Sequence, residues 1–372
     1  MLKNIFRQKV ERLFSLADIK IGGTRPWDIH VYNKKFFAKV LLEGSLGLGE
    51  SYMAGWWDSV KLDEFFYKVL RAQLHTMVKP WYNFFEHLKA KVYNMQNPGR
   101  AFIIGEHHYD MGNDFYQCML DKYMIYSCGY WKNSFTLDEA QKAKLDMVCR
   151  KLQLRSGMRI LDIGCGWGGT AKFAAEQYHV KVLGLTVSKE QANFAKEFCR
   201  GLPVEIRLQD YRNLDGKFDR ILSLGMFEHV GYKNHRTFMR IVDRCLKKDG
   251  LFLLHTIGNN RSTIKNDPWI ERYIFPNSIV PSARQICKAS DGLFVLEDWH
   301  NFGANYDKTL MQWFENFHNH WDILKRHYDK QFYRMWKYYL LSCAGSSRAR
   351  QTQLWQIVFS KKGVLGGYLA SR

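Results

Sequence analysis

The stretch "LDIGCGWGG" raises the first chemical question. Gly164, Gly166 and Gly169 stand at G-x-G-x-x-G spacing, directly after an apolar strand-like run and before a helical one. In that context a ligand can approach the backbone closely at a helix N-terminus. A nicotinamide dinucleotide is one candidate, and two features oppose it. Asp162, two residues before the first glycine, would set a carboxylate near a pyrophosphate. The position about 20 residues on, where an acid would hold a ribose, falls in "GLTVSKEQ" at Thr186. The sulfonium and ammonium of S-adenosylmethionine are cationic, so Asp162 becomes an asset and this cofactor fits better. Methyltransferases with this sheet usually carry an acid at the end of the second strand. Here Thr186, Ser188 and Gln191 would supply neutral hydrogen bonds instead. A glycine turn kept for tight packing is the structural alternative.

A second question comes from "SLGMFEHVG", where Glu228 ends an apolar run. A carboxylate leaving a buried strand is costly unless something fixed is paired with it. Taken alone, Glu228 also reads as an N-cap-like acid for the following helix, and His255 inside "LFLLHTIG" as a satisfied core histidine. His107–His108 and His318-x-His320 lack zinc-ligand spacing, so no metal is expected. "NDPW" at 266–269 resembles the element of nucleic-acid amino methyltransferases but has one proline and follows the fifth strand, not the fourth.

The elements that must position these residues are regular beyond about residue 137. Strand-like runs "MRILDIG", "KVLGLTV", "VEIRLQD", "FDRILSLG", "GLFLLHTIG", "FVLEDWHNFG" and "LWQIVFS" mostly alternate with helical ones such as "SKEQANFAKEFCR" and "YKNHRTFMRIVDRCL". This predicts an α/β fold: a mostly parallel seven-stranded, Rossmann-like sheet with helices on both faces and ligands at the strands' carboxyl ends. Glu228 falls just past the fourth strand, on that edge. Ahead of this domain, residues 2–19 have helical spacing, and 29–58 read as short strands broken by glycine turns. "LDEFFYKVLRAQL" and "PWYNFFEHLKAKVYNM" read as helices and "NMQNPGRAF" as a boundary. The division expected is a smaller N-terminal domain, 1–98, and a catalytic domain, 99–372.

Composition narrows the class. Net charge is +19, from 55 basic and 36 acidic side chains, which favours a polyanion, either nucleic acid or an anionic membrane surface. Aromatic residues are dense, with 12 Trp and 25 Phe. Large apolar side chains could line a cavity or an interface, or simply fill a core. The eight cysteines show no C-x-x-C and no disulfide framework, the N-terminus does not read as a signal peptide, and no run of about 18 apolar residues exists. A cytoplasmic protein with free thiols is expected.

Taken together, "YSCGYW", "LDIGCGWGG", "GLTVSKEQ", "GMFEHVG", "LLHTIG", "DPWI" with "YIFPN", "EDWHNFG" with "YDKTL", and "LWQIVFS" resemble the cyclopropane fatty acid synthases. They occur in that family's order over roughly residues 100–361, and "GESYMAGWWD" resembles its N-terminal domain. The resemblance implies a dimeric, peripheral membrane enzyme at the inner face of the cytoplasmic membrane. Such an enzyme adds the methyl carbon of S-adenosylmethionine across a cis double bond of phospholipid acyl chains, with bound bicarbonate as general base. It implies bicarbonate ligands at Glu228, His255, Tyr306 and the backbones of Cys128 and Ile257. Cofactor contacts follow at Tyr126, Ser127, Asp162, Gly164, Gly166, Thr186, Gln191, Asp210 and Tyr211. The expected partners are an unsaturated phospholipid bilayer and a second copy of the chain, and no nucleic acid. An RNA methyltransferase would account for charge and cofactor loop, but not for Glu228, His255 and Tyr306 together.

Overall fold

A computed structural model describes residues 2–78 and 112–372. The helix expected at 80–95, the boundary at 94–102 and His107–His108 lie outside the described residues. Two compact units form: Met1–Tyr93 with Ile264–Pro276 and Tyr306–Thr352, and Asn94–Thr263 with Asn277–Asn305 and Gln353–Arg372. A single cut after residue 98 therefore misses two later segments that pack with the N-terminal residues.

The larger unit is built on the expected sheet. Its strands are β1 (Arg159–Ile163), β2 (Lys181–Thr186), β3 (Val204–Leu208), β4 (Phe218–Leu224), β5 (Leu246–Asn259), β6 (Val295–Asn301) and β7 (Thr352–Ser360). Their spatial order is β3-β2-β1-β4-β5-β7-β6. β3-β2-β1-β4-β5 pair in parallel, and β7 is inserted between β5 and β6, antiparallel to β6. Alternate residues of each central strand feed different cores. Leu161, Leu183, Ile221, Phe252, Leu254, Ile357 and Phe359 join one buried cluster, while Ile160, Val182, Leu222, Leu253 and Val358 join another. Burial on both faces is why these strands read as continuous apolar runs.

Helix ends in this unit follow local chemistry. Thr136 and Glu139 form a reciprocal capping box at the start of Leu137–Lys151, and Ser188 caps Lys189–Phe198 through the Gln191 N–H. The Ser188 cap starts its helix just past the end of β2, at the ligand edge.

The smaller unit corrects the reading of 29–58 as short strands. Only His30–Val31 and Trp57–Asp58 pair as a ladder; between them Phe36–Met53 is helical, interrupted at Gly44, where φ is +58°. Its glycines serve close packing: a Cβ on Gly49 would lie 2.3 Å from the Trp269 indole. The later segments dock in the same way. On the helix Lys330–Arg348, a Cβ at Gly345 would lie 2.6 Å from the Asp63 carbonyl of the helix Leu62–Arg71. Arg334 donates to Asp58 and to the Tyr52 and Trp57 carbonyls, with its guanidinium over the Tyr52 ring. That cation–π contact joins two residues distant in sequence.

Candidate active site

The glycine loop leaves β1 at the centre of the sheet's carboxyl edge. The Gly164 and Cys165 N–H groups both donate to the Leu185 carbonyl, which ties the loop to the end of β2. Gly166 has φ +55°, and a Cβ there would meet nothing nearer than Gln191 Nε2 at 4.0 Å. The space over this backbone is therefore open for a ligand. Gly169 starts the next helix, and a Cβ there would lie 1.8 Å from the Tyr123 carbonyl oxygen, so packing forbids a side chain.

Asp162 on β1 is 1% exposed, and its Oδ2 has no hydrogen-bond partner. Burial pushes its pKa up to about 7, with the nearby Lys144 ammonium opposing that rise. A buried carboxylate in this state gains from an added cation, as S-adenosylmethionine would supply. At the end of β2, Thr186 Oγ1 donates to Gln191 Oε1 at 2.9 Å and accepts the Ser188 N–H, so neutral groups line this rim. Asp210 is already paired. Its two oxygens are taken up by the Arg212 backbone N–H, Nε and Nη2, and the Tyr211 ring packs edge-on against Phe238 in the core.

Tyr126, Ser127 and Cys128 lie on one loop. The Tyr126 ring packs against Tyr116, which in turn meets Trp167 of the glycine loop. Ser127 Oγ accepts from Lys144 Nζ at 2.9 Å, and its carbonyl accepts from Gln141 Nε2 at 2.7 Å. Cys128 is buried, and its thiol donates to the Gly129 carbonyl.

Past β4, the single 3₁₀ turn Phe227–His229 carries Glu228. The helix that follows, His235–Cys245, has Asn234 at its N-cap position, and the Glu228 carboxylate goes elsewhere. Oε1 accepts the Ile257 N–H of β5 at 2.6 Å, whereas Oε2 is buried without a partner. Burial pushes the Glu228 pKa up to about 7, opposed by the Ile257 N–H. His255 lies two residues before Ile257 on β5 and is 1% exposed. Gln356 Nε2 on β7 approaches its Nδ1 at 3.3 Å. In that amide orientation the neutral ring carries its proton on Nε2, which has no partner. Burial holds the imidazole well below its usual pKa, and Phe302 covers it edge-on at 5.9 Å.

The structure thus gathers Glu228, Ile257 and His255 at one end of β5, and the Gly225 N–H at the end of β4 donates to the His255 carbonyl. Ser127 reaches the same place, its Cβ 3.7 Å from where a Gly225 Cβ would be. Tyr306 belongs to the smaller unit, where its ring packs edge-on to Trp313. The Ile257 N–H already serves Glu228. Lys144, Gln141 and Gln356 were not legible as site residues. Each is a long polar side chain whose burial follows from contacts beyond its own segment. No group of three or more metal-ligating side chains occurs among the described residues.

The sequence model of the mycolic acid cyclopropane synthetase family matches residues 96–357. The cyclopropane-fatty-acyl-phospholipid synthase of Escherichia coli K12 is 54% identical over 363 residues, covering 97% of this chain and 94% of that protein. Among solved structures, the cyclopropane synthase MmaA2 from Mycobacterium tuberculosis aligns with TM-score 0.65 and 32% identity, covering 72% of this chain and all of that one. The mycolic acid cyclopropane synthase CmaA1, solved with SAH and CTAB, aligns with TM-score 0.65 and 32% identity over 70% of this chain and 98% of that one.

Fold, site and likeness define an S-adenosylmethionine-dependent methyltransferase of the class I, Rossmann-like type. The chain belongs to the cyclopropane synthetase family, on the phospholipid-synthase side of it by identity.

Proposed function

We propose that this enzyme forms cyclopropane rings on cis-unsaturated acyl chains of membrane phospholipids, with bicarbonate as the base. The observation that carries the reading is the pair of orphaned buried atoms at one end of β5: Glu228 Oε2 and His255 Nε2. One is an acceptor, or a donor when protonated, and the other is a donor. Together they suit a small oxyanion that both donates and accepts. The likeness to the phospholipid synthase supports the substrate class.

S-Adenosylmethionine supplies the methyl carbon at the glycine loop, where Asp162, Gly164, Gly166, Ser127, Thr186 and Gln191 would hold it, with Tyr126, Asp210 and Tyr211 as further contacts. Bicarbonate would supply the base that removes a proton from the added methyl so that the ring can close. The chain's own residues set the conditions for that step. Glu228 is held by Ile257, so its free oxygen has a fixed direction. His255 is kept neutral by burial and offers an N–H rather than a charge. The family resemblance adds the Cys128 backbone and Tyr306 as further proposed ligands. Phe302 and the surrounding core exclude water, which strengthens each of these contacts.

The acyl chain must come from a bilayer. No helix among the described residues is long and apolar enough to cross a membrane. A peripheral enzyme on the cytoplasmic face, docked through its net charge of +19 and working as a homodimer, fits this reading. Binding to anionic vesicles should weaken steeply with salt, and sedimentation should report the dimer. The deciding assay supplies methyl-labelled S-adenosylmethionine with unsaturated phospholipid vesicles or with RNA. Mass spectrometry then identifies the labelled product. A cyclopropane lipid, formed more slowly in carbonate-free buffer and rescued by added bicarbonate, is expected. Label in RNA would overturn the substrate, and a full rate without carbonate would overturn the base.

A further inference from the structure

Lys144 sits in the middle of the helix Leu137–Lys151 and is wholly buried. Burying an ammonium costs several kcal/mol unless its charge is used. Among the described residues no carboxylate lies within ion-pair distance of it, and its hydrogen-bond partner is Ser127 Oγ. Anchoring the loop does not need the charge, because neutral Gln141 already holds the Ser127 carbonyl. What the ammonium adds is electrostatic. Burial lowers its pKa to about 8, and the charges of two buried carboxylates, Asp121 and Asp162, oppose that fall. Asp121 is satisfied by the Tyr123 and Ile125 N–H groups, whereas Asp162 keeps an oxygen without a partner.

The hydroxyl geometry adds a second observation. An ammonium has no acceptor, so Ser127 Oγ must receive from Lys144 and direct its own hydrogen elsewhere. Among the described residues nothing accepts that hydrogen. Ser127 stands against Gly225, and Gly225 is followed by Met226, whose side chain lies 2.7 Å from where a Gly164 Cβ would be. The oriented O–H and the unpaired Asp162 oxygen therefore border the same glycine loop, one a donor and one an anion. That pairing matches a zwitterion.

We propose that Lys144 is a positioning residue for the amino-acid end of the cofactor. It turns the Ser127 O–H toward the cofactor's carboxylate and is the fixed cation near Asp162, which faces the cofactor's ammonium. This rests on S-adenosylmethionine dependence and not on the bicarbonate reading, so the two fail separately.

The test compares two ligands on the full chain by calorimetry or competition: S-adenosylhomocysteine, and 5′-methylthioadenosine, which lacks the amino-acid end. Lys144→Met should weaken the first by on the order of tenfold or more, as expected for a lost charge-assisted contact, and leave the second within about twofold. Lys144→Gln, which keeps a donor without the charge, should fall between. Ser127→Ala should reproduce the selective loss, and adding Lys144→Met to it should cost little more, since the two act in series. Equal weakening of both ligands, or of neither, in any variant that melts like the wild type would overturn the proposal. If Lys144→Met does not fold, Ser127→Ala and Lys144→Gln decide it by the same ratio.

Discussion

Two buried carboxylates stand at the carboxyl ends of adjacent strands, and their surroundings separate them. Asp162, on β1, and Glu228, just past β4, are each nearly inaccessible, each has one oxygen without a partner, and burial pushes each pKa up to about 7. Asp162 has a buried ammonium within reach and an open glycine loop beside it; Glu228 has a backbone N–H and a neutral histidine. The first region is suited to a cation, the second to an anion that shares a proton. Equal desolvation thus yields different chemistry, because neighbours and not burial select the ligand.

The comparison breaks most sharply at Glu228. Glu228→Gln should reduce turnover by roughly 10²–10⁴-fold, the range for a lost acid–base arrangement. S-Adenosylhomocysteine affinity should change little, because the loss falls on the transition state. Steady-state kinetics with calorimetry checks this, and a variant that loses affinity instead would merge the two regions.

Asp162→Asn should do the converse. Cofactor affinity should drop on the order of 10–100-fold, the cost of a lost charge-assisted contact. Turnover at saturating cofactor should fall far less than in Glu228→Gln. Comparable losses in both quantities would sink the assignment of Asp162 to cofactor binding.

A third measurement uses pH. The folded pKa of Glu228 is raised from 4.5 to about 7, so the native state holds a proton that the unfolded chain releases in that window. Its contribution to stability is full below the unfolded value and is lost as pH rises through the folded one, on the order of 3 kcal/mol in all. His229, His235 and His300, lowered to about 4 by burial, act in the opposite sense as pH rises from about 4 to 6.5. The informative quantity is therefore the melting difference between wild type and Glu228→Gln. It should move by several degrees against the wild type between about pH 5 and pH 8. A difference that stays flat would mean Glu228 is not held protonated.

The smallest effect is expected at Cys128. Its thiol bonds locally to Gly129, and the proposed contribution is its backbone, which serine keeps. Initial rates of Cys128→Ser should stay within severalfold of wild type at matched melting temperature. A folded, cofactor-binding variant as inactive as Glu228→Gln would give the sulfur a role.

Much of this was legible in the chain. The seven strands follow from apolar runs punctuated by glycine and capping residues, and the glycine loop from its place between strand and helix. The glycine-rich 36–53 segment misled, because its glycines serve close helix packing that depends on Trp269, more than 200 positions away. The two later segments of the smaller unit were invisible for the same reason: their partners are remote in sequence.

By itself, then, the sequence determined the sheet, the cofactor edge and the candidate status of Glu228 and His255, since strand periodicity and loop chemistry are local. Only the tertiary structure decided which groups are orphaned. It bonded Ile257 to Glu228, set Gln356 of the last strand behind His255, tied up Asp210 with Arg212, and buried Lys144 under Ser127. Those outcomes depend on desolvation and on contacts between distant strands, and neither is encoded in any short stretch of residues.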